Sequence, residues 1–322
     1  MDIKLSTYQK ISFILKYYSV WQVRKLYFRL FKEKLRSKHY AKTQVKDINE
    51  GNQVIYELIK LGKPFMAGRY GSIELSAMAE VVRSICLKKE YDYNRLKDLN
   101  MNAGFVGNSK EEYAKFAEVM IYATTCCDVM GVWYNQMEDW FCSEYMPSNY
   151  VLTHRKVYDF WNCELPFTVA LEGKKVLVIH PYTESIRLQY ARREKIFENK
   201  NILPMFELKT VKAVQTIAGQ KDDRFTTWFE ALDYMYNEAM KEDFDIALIG
   251  CGAYGYPLAA RIKEAGKSAI HMGGVLQVLF GIKGKRWDDI PEVSELYNEY
   301  WVRPNEAENV KNAKMIEDAC YW

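Results

Sequence analysis

"DFDIALIGCGAYGYPLAARIKEAGKSAIHMGG", residues 243–274, decides the architecture. The apolar run Ile246 to Ile249 leads into a cluster of small residues, then a helix-periodic stretch, then a second apolar run ending at Met272. Short apolar runs bounded by Gly or charge read as buried strands, and a helical stretch between two of them makes a β-α-β unit with parallel strands. Gly250, Gly252 and Gly255 also stand at the G-x-G-x-x-G spacing of a dinucleotide turn. That fingerprint needs an acid about 20 residues further on, at the end of the second strand, to hold a ribose. This chain has His271, Met272, Gly273 and Gly274 there. The same missing acid weighs against a methyltransferase. Two readings stay open: a small-residue turn whose backbone approaches an anion beside a helix N-terminus, or glycines that only permit tight strand–helix packing.

Working outward, similar apolar runs occur at 64–68, 128–133, 175–180 and 203–208, joining those at 245–250 and 268–272. After residue 162 they alternate with helical patterns as β-α-β-α-β-α-β. That order predicts an α/β fold, a Rossmann-like, mostly parallel sheet with helices on both faces, whose ligands gather beyond the carboxyl ends of the strands. The parse is a basic amphipathic helical extension over 1–50, a catalytic domain over 51–290, and a C-terminal helical tail over 291–322 packed on that domain.

The chain has 322 residues, 49% hydrophobic and 27% charged, an ordinary globular composition. Its seven cysteines include no C-x-x-C pair, which fits a reducing cytoplasm. No uncharged apolar run is long enough to span a bilayer. Charge is unevenly spread: residues 1–42 hold eleven Lys or Arg against Asp2 and Glu33, so this segment is +9 while the whole chain is +3. Aromatic and aliphatic residues are interleaved with these cations. Such a pattern suits either helices lying on anionic lipid at the inner face of the plasma membrane or surface helices docked on the domain with a solvated basic face. Nucleic acid is not expected as a partner, because the basic character stops at residue 42 and no nucleic-acid motif accompanies it.

Besides the first glycine turn, three strand-to-helix turns are candidates for the site. Gly273 and Gly274 form a second glycine turn, followed by Lys283, Lys285 and Arg286. Together with Gly252, Tyr254, Gly255 and His271 they make a candidate diphosphate site. At "VLVIHPYTESI", residues 176–186, His180 or Glu184 is placed to deprotonate an acceptor hydroxyl, and the helix start beside them is placed to hold an anion. His271 is a third candidate base. The loop "NAGFVGNS", 102–109, is read as a ligand cover or a plain turn, and Trp133 as a stacking platform or a core residue.

The third turn is "AGRYGSIEL", residues 67–75, with Ser72 as the expected helix N-cap and Glu74 in the first turn. It resembles the R-F-G-D-G-E signature of GT-D type glycosyltransferases, through Arg69, Gly71 and Glu74, with Tyr70 a conservative change. In order of elements the resemblance covers about residues 60–285. It implies transfer of a sugar from a nucleoside diphosphate sugar, typically a UDP-sugar, to a glycan or lipid-linked acceptor in bacterial surface polysaccharide assembly. It implies that Arg69, Gly71, Ser72 and Glu74 contribute to the site. The family's D-x-E reads Ser72-Ile73-Glu74 here, which leaves Glu74 as the one carboxylate of that motif for Mn²⁺ or Mg²⁺, or a site without metal. Two other classes stay open: a Rossmann-like methyltransferase or oxidoreductase using the first glycine turn, and a non-catalytic nucleotide- or glycan-binding assembly protein.

Overall fold

Along the run Lys175–His180, alternate side chains enter different hydrophobic clusters: Val176 and Val178 one, Leu177 and Ile179 the other. A strand covered on both faces must be apolar on both, which is why these runs do not alternate with polar residues. The computed structural model describes residues 3–217 and 219–308. Among them, nine strands form one sheet: β1 (His39–Tyr40), β2 (Thr43–Lys46), β3 (Met66–Gly68), β4 (Val129–Val132), β5 (Val151–His154), β6 (Lys175–His180), β7 (Glu207–Lys212), β8 (Ile246–Ile249) and β9 (Ser268–His271). Their order is β1-β2-β5-β4-β3-β9-β8-β6-β7. Only the β1–β2 pair is antiparallel; the others run parallel, with Ile246 opposite Ser268 and Val176 opposite Ile246. The open α/β architecture is the one expected.

One face is covered by the helices Ser72–Leu87, Lys110–Thr125, Trp228–Met240 and Gly255–Glu264, the other by Ile48–Leu61, Thr183–Tyr190 and Val275–Leu279. The chain leaves β3, β4 and β8 toward the first face, and β5, β6 and β9 toward the second. So the neighbours β3/β9, β9/β8 and β8/β6 send their loops to opposite sides. Diverging loops open a crevice at the carboxyl ends of the strands.

Several details differ from the expectation. The strand placed at 203–208 is instead Glu207–Lys212. Leu203 and Phe206 are buried in the second-face cluster as part of the approach, and Pro204 has no N–H for a ladder. β1, β2 and β5 were not foreseen. β2 pairs with β5 through Val45 and Leu152, so the sheet begins ahead of the boundary expected at residue 50. The extension before it docks through one side: Phe13 packs edge-on against Trp140 at 4.9 Å, and Lys16 and Arg24 reach the Asp139 carboxylate at 3.1 and 3.2 Å. Of the tail, the turn Pro291–Ser294 and the segment to Glu308 are described; residues 309–322 lie outside the described residues.

Candidate functional site

The crevice is a cavity of about 630 Å³. It is lined by the loops after β3, β4, β5, β6, β8 and β9, with Asn102 to Gly104, Val214 to Ile217 and the segment around Arg286 closing its sides. Arg69, Gly71, Ser72, Glu74, His180, Gly252, Tyr254, His271, Gly273, Gly274 and Arg286 all line it. Glu184, Gly255 and Lys283 do not.

Each glycine of the G-x-G-x-x-G turn has a steric reason within the chain. A Cβ on Gly250 would lie 2.7 Å from the Gly273 carbonyl oxygen, so the two glycine turns sit backbone against backbone. Gly252 has φ +58°, in the left-handed region, and its neighbour Ala253 donates its N–H to the Ala103 carbonyl at 3.1 Å. A Cβ on Gly255 would meet the His271 ring at 2.5 Å, so Gly255 is a packing residue. Tyr254 stacks on Trp228 at 4.9 Å, with its hydroxyl 2.8 Å from that of Thr216. The turn therefore shapes the cavity wall. The loop 102–104 is held against it.

Both histidines at this wall are neutral. Burial pushes the His180 ring down to about 3, and its Nδ1 accepts the Tyr182 N–H at 3.1 Å. That tautomer carries its proton on Nε2, which makes His180 a donor and corrects its reading as a base. His271 is likewise pushed down to about 3, chiefly by burial and then by the Arg69 charge, with Nδ1 3.1 Å from the Arg69 carbonyl oxygen. A carbonyl can only accept, so Nδ1 bears the proton. Glu184 is exposed and bound to Arg187 at 2.9 Å. The helix start beside it is occupied from within: the Glu308 carboxylate accepts the N–H groups of Glu184 and Ser185 at 2.7 and 3.1 Å. Lys283 lies over the Tyr297 ring at 4.8 Å.

At the front of the site the helix starts at Ser72 with Gly71 as its N-cap, one residue earlier than expected, and no side chain caps it from the N-cap position. The Glu74 carboxyl folds back into the space a Gly71 Cβ would fill. Enclosure by protein raises its pKa, while a hydrogen bond from its own backbone N–H opposes the shift. Arg69, 8% exposed, donates to the Met272 carbonyl, comes within 4.0 Å of Asp159, and lies over the Trp133 and Tyr158 rings at 5.5 and 5.7 Å. It is a pre-positioned guanidinium bridging β3 and β9.

The opposite wall follows β5 and was missed by sequence reasoning. Arg155, Lys156, Asp159 and Trp161 line the cavity, facing Trp287 and Glu292. The Arg155 guanidinium stacks on Trp133 at 4.1 Å. Burial raises the Asp159 carboxyl, and Arg69, Arg155 and Lys156 pull the other way. Trp161 and Trp287 meet edge to face at 6.4 Å. Trp133 and Trp287 line the cavity, and their indole N–H groups are buried without a hydrogen-bond partner. The Trp133 loop is fixed by Glu138, whose carboxyl accepts the Trp133 N–H at 3.0 Å and the Tyr40 hydroxyl at 3.1 Å. One signal could have revealed this wall: "VLTHRKVYDFW" is a short strand followed by cations, an acid and aromatics, the chemistry expected past a strand's carboxyl end.

The donor set does not make a protein-held divalent metal site. Ser72 stands where a second acid of the motif would be, Asp159 faces Arg69, and Glu292 is 3.7 Å from Lys156. Among the described residues no three His, Cys, Asp or Glu side chains gather into a group that could hold a metal ion by itself. Four cationic side chains, Arg69, Arg155, Lys156 and Arg286, line the cavity instead.

No family model matches the chain, and no curated protein matches it. Two solved structures are similar to it over 72% of this chain and 79% of theirs, both at a TM-score of 0.41. One, 12% identical, is described as a selenomethionine-substituted domain of unknown function 1792. The other, 13% identical, is described as the same domain, with a distinct glycosyltransferase fold.

Proposed function

We propose that the chain is a glycosyltransferase that uses a nucleoside diphosphate sugar, a UDP-sugar in the first instance, and a hydroxyl acceptor on a glycan or lipid-linked saccharide. The observation that carries this reading is the convergence on one cavity of four cations, three tryptophans and the Asp159 carboxyl. A diphosphate needs fixed positive charge, sugar rings pack on aromatic faces, and transfer needs a base beside the acceptor.

In the reaction the acceptor O–H gives its proton to the Asp159 carboxylate as the oxygen bonds to the anomeric carbon. The bond from that carbon to the diphosphate oxygen breaks, and the electron pair leaves with the nucleoside diphosphate. Arg69, Arg155 and Arg286 stabilise the charge developing there. The start of the helix Ser72–Leu87 adds its positive end. His180 donates through Nε2–H to a phosphate or sugar oxygen.

Melting temperature measured with UDP, other nucleoside diphosphates, S-adenosylmethionine and NAD(P) tests the reading, because a ligand that binds the native state raises it. UDP or a related diphosphate should stabilise the protein, and donor hydrolysis or transfer should follow with the matching nucleotide sugar. Stabilisation by S-adenosylmethionine or NAD(P) alone would overturn it. Diphosphate binding without hydrolysis or transfer across a broad panel of donors would leave a binding protein.

A further inference from the structure

The cavity accounts for little of the first forty residues. The helix Thr7–Leu15, a π-helical turn Lys16–Val20 and the helix Trp21–Phe31 form one rod. Its inner side docks through Phe13 and Tyr17, while its outer side carries Tyr8, Ile11, Leu15, Val23, Leu26 and Leu30, each between 54 and 67% exposed. Scattered exposed apolar residues need no explanation, but a continuous line of them does.

The π-turn makes the line continuous. At about 100° per residue, the eight steps from Leu15 to Val23 would leave the two about 80° apart around the helix. The wider i→i+5 turn between them sets the phase back by roughly a quarter turn, which brings Val23, Leu26 and Leu30 back under Tyr8, Ile11 and Leu15. A helix meant only to dock on the domain has no use for an aligned outer face.

We infer that this face is a docking surface for an anionic lipid bilayer. Lys25 and Arg29, at i and i+4, form a second exposed line on the flank of the apolar one, and Lys32 follows at the left-handed C-cap. Between residues 3 and 42 the one acid is Glu33. Apolar side chains enter the acyl boundary while cations on the flank reach anionic headgroups, the division of labour of an interfacial helix. A second copy of the chain fits less well, because a symmetric contact through this face would bring the two basic lines together. No helix among the described residues is long and apolar enough to cross a membrane, so the rod lies on the surface.

The rod is also tied to the site. Just past it, the Lys34 ammonium donates to the Trp133 carbonyl at 3.0 Å and to the Asn135 side-chain oxygen at 2.5 Å, on the loop that supplies Trp133 to the cavity. Docking therefore holds the β4–β5 side of the cleft near the lipid. The inference stands independently of the chemistry assigned to the cleft.

Co-sedimentation of the full chain with phosphatidylcholine vesicles, with and without phosphatidylglycerol, tests it. Binding should require phosphatidylglycerol and weaken with salt. Lys25→Glu with Arg29→Glu should lower the partition coefficient at least about ten-fold. Val23→Ser, Leu26→Ser and Leu30→Ser together should abolish binding while leaving the melting temperature unchanged, since all three side chains are exposed. The inference is overturned if the chain ignores anionic vesicles, or if binding survives both variants. It is equally overturned if light scattering finds a dimer that the serine variant breaks while vesicles stay unbound.

Discussion

The two walls of the cleft are built from opposite materials. The wall beyond β8 and β9 is glycine and neutral histidine, with Gly250 against Gly273 and Gly255 against His271. The wall beyond β4 and β5 is charge and aromatic surface: Arg155 on Trp133, Asp159 near Arg69, Trp161 beside Trp287. The first carries the recognisable motif, and the contacts that explain its glycines lie inside the protein. The second carries no motif; two of its indole N–H groups are buried without a partner, and its titratable side chains line the cavity. In this molecule a glycine signature locates the crevice, and the cluster of charge and aromatic surface stands across from it.

The sharpest way to break that contrast is to change one residue on each wall. Asp159→Asn should lower kcat about 10²–10⁴-fold, the range for loss of a general base, while a nucleoside diphosphate still raises the melting temperature. Because burial raises the Asp159 carboxyl, the acidic limb of the wild-type kcat/KM profile should lie above the ordinary carboxyl range, with turnover falling as pH drops through it. That limb should vanish in the variant. Gly250→Ala should act on stability instead, costing about 1–3 kcal/mol in urea denaturation, because the atom in its way is backbone and cannot swing aside. If Gly250→Ala leaves stability intact but abolishes nucleotide binding, the glycine wall is a ligand site after all and the division fails.

The same contrast explains what the sequence made legible. β6, β8 and β9 are apolar runs covered on both faces, and β6 was placed with its observed ends, 175–180. β7 was shifted because it is an edge strand: its Lys209, Thr210 and Lys212 look like a loop, while the truly apolar stretch before it, Leu203 to Phe206, packs as the approach. β5 offers two apolar residues, Val151 and Leu152, before Thr153 and His154, too few to stand out from the polar stretch around them. Missing β5 meant missing Arg155 and Asp159, since the rule that ligands gather past strand ends works only once the strand is known. β1 and β2 were hidden in a segment whose basic composition suggested helices alone. Arg69, Glu74 and the glycine turns were found because each follows a strand that periodicity does reveal.

A smaller effect is expected from Arg155→Lys, which keeps the charge on the second wall but loses the planar stack on Trp133. Nucleotide affinity should fall by up to about ten-fold, the order expected for a desolvated cation–π contact, and Trp133 fluorescence should change on ligand binding less than in the wild type. Beyond β3, Glu74→Gln probes the missing metal pair. With Asp replaced by Ser72 in the motif, nucleotide stabilisation should be nearly the same in Mn²⁺ and in chelator, for the wild type and the variant alike. A large Mn²⁺ requirement that Glu74→Gln removes would restore the metal site to Glu74.

A last test separates the walls by pH. His180 and His271 are pushed from 6.5 down to about 3, so in the unfolded chain they bind protons that the native state refuses. Their contribution is complete above about pH 6.5 and lost as pH falls toward 3. Glu138, which holds the Trp133 loop, is pushed by burial from 4.5 up to about 7, against the hydrogen bonds it accepts. Its contribution is complete below about pH 4.5 and lost as pH rises through 7. Between 4.5 and 6.5 the two walls therefore oppose each other, and the wild-type stability curve is flattened. Glu138→Gln removes one side of this opposition, so its unfolding free energy should climb more steeply with pH across that window than the wild type's, whatever its absolute loss. Parallel curves would mean that the Glu138 carboxylate stays ionised in the native state, stabilised by the N–H groups and phenol that point at it, and that the second wall does not titrate through Glu138.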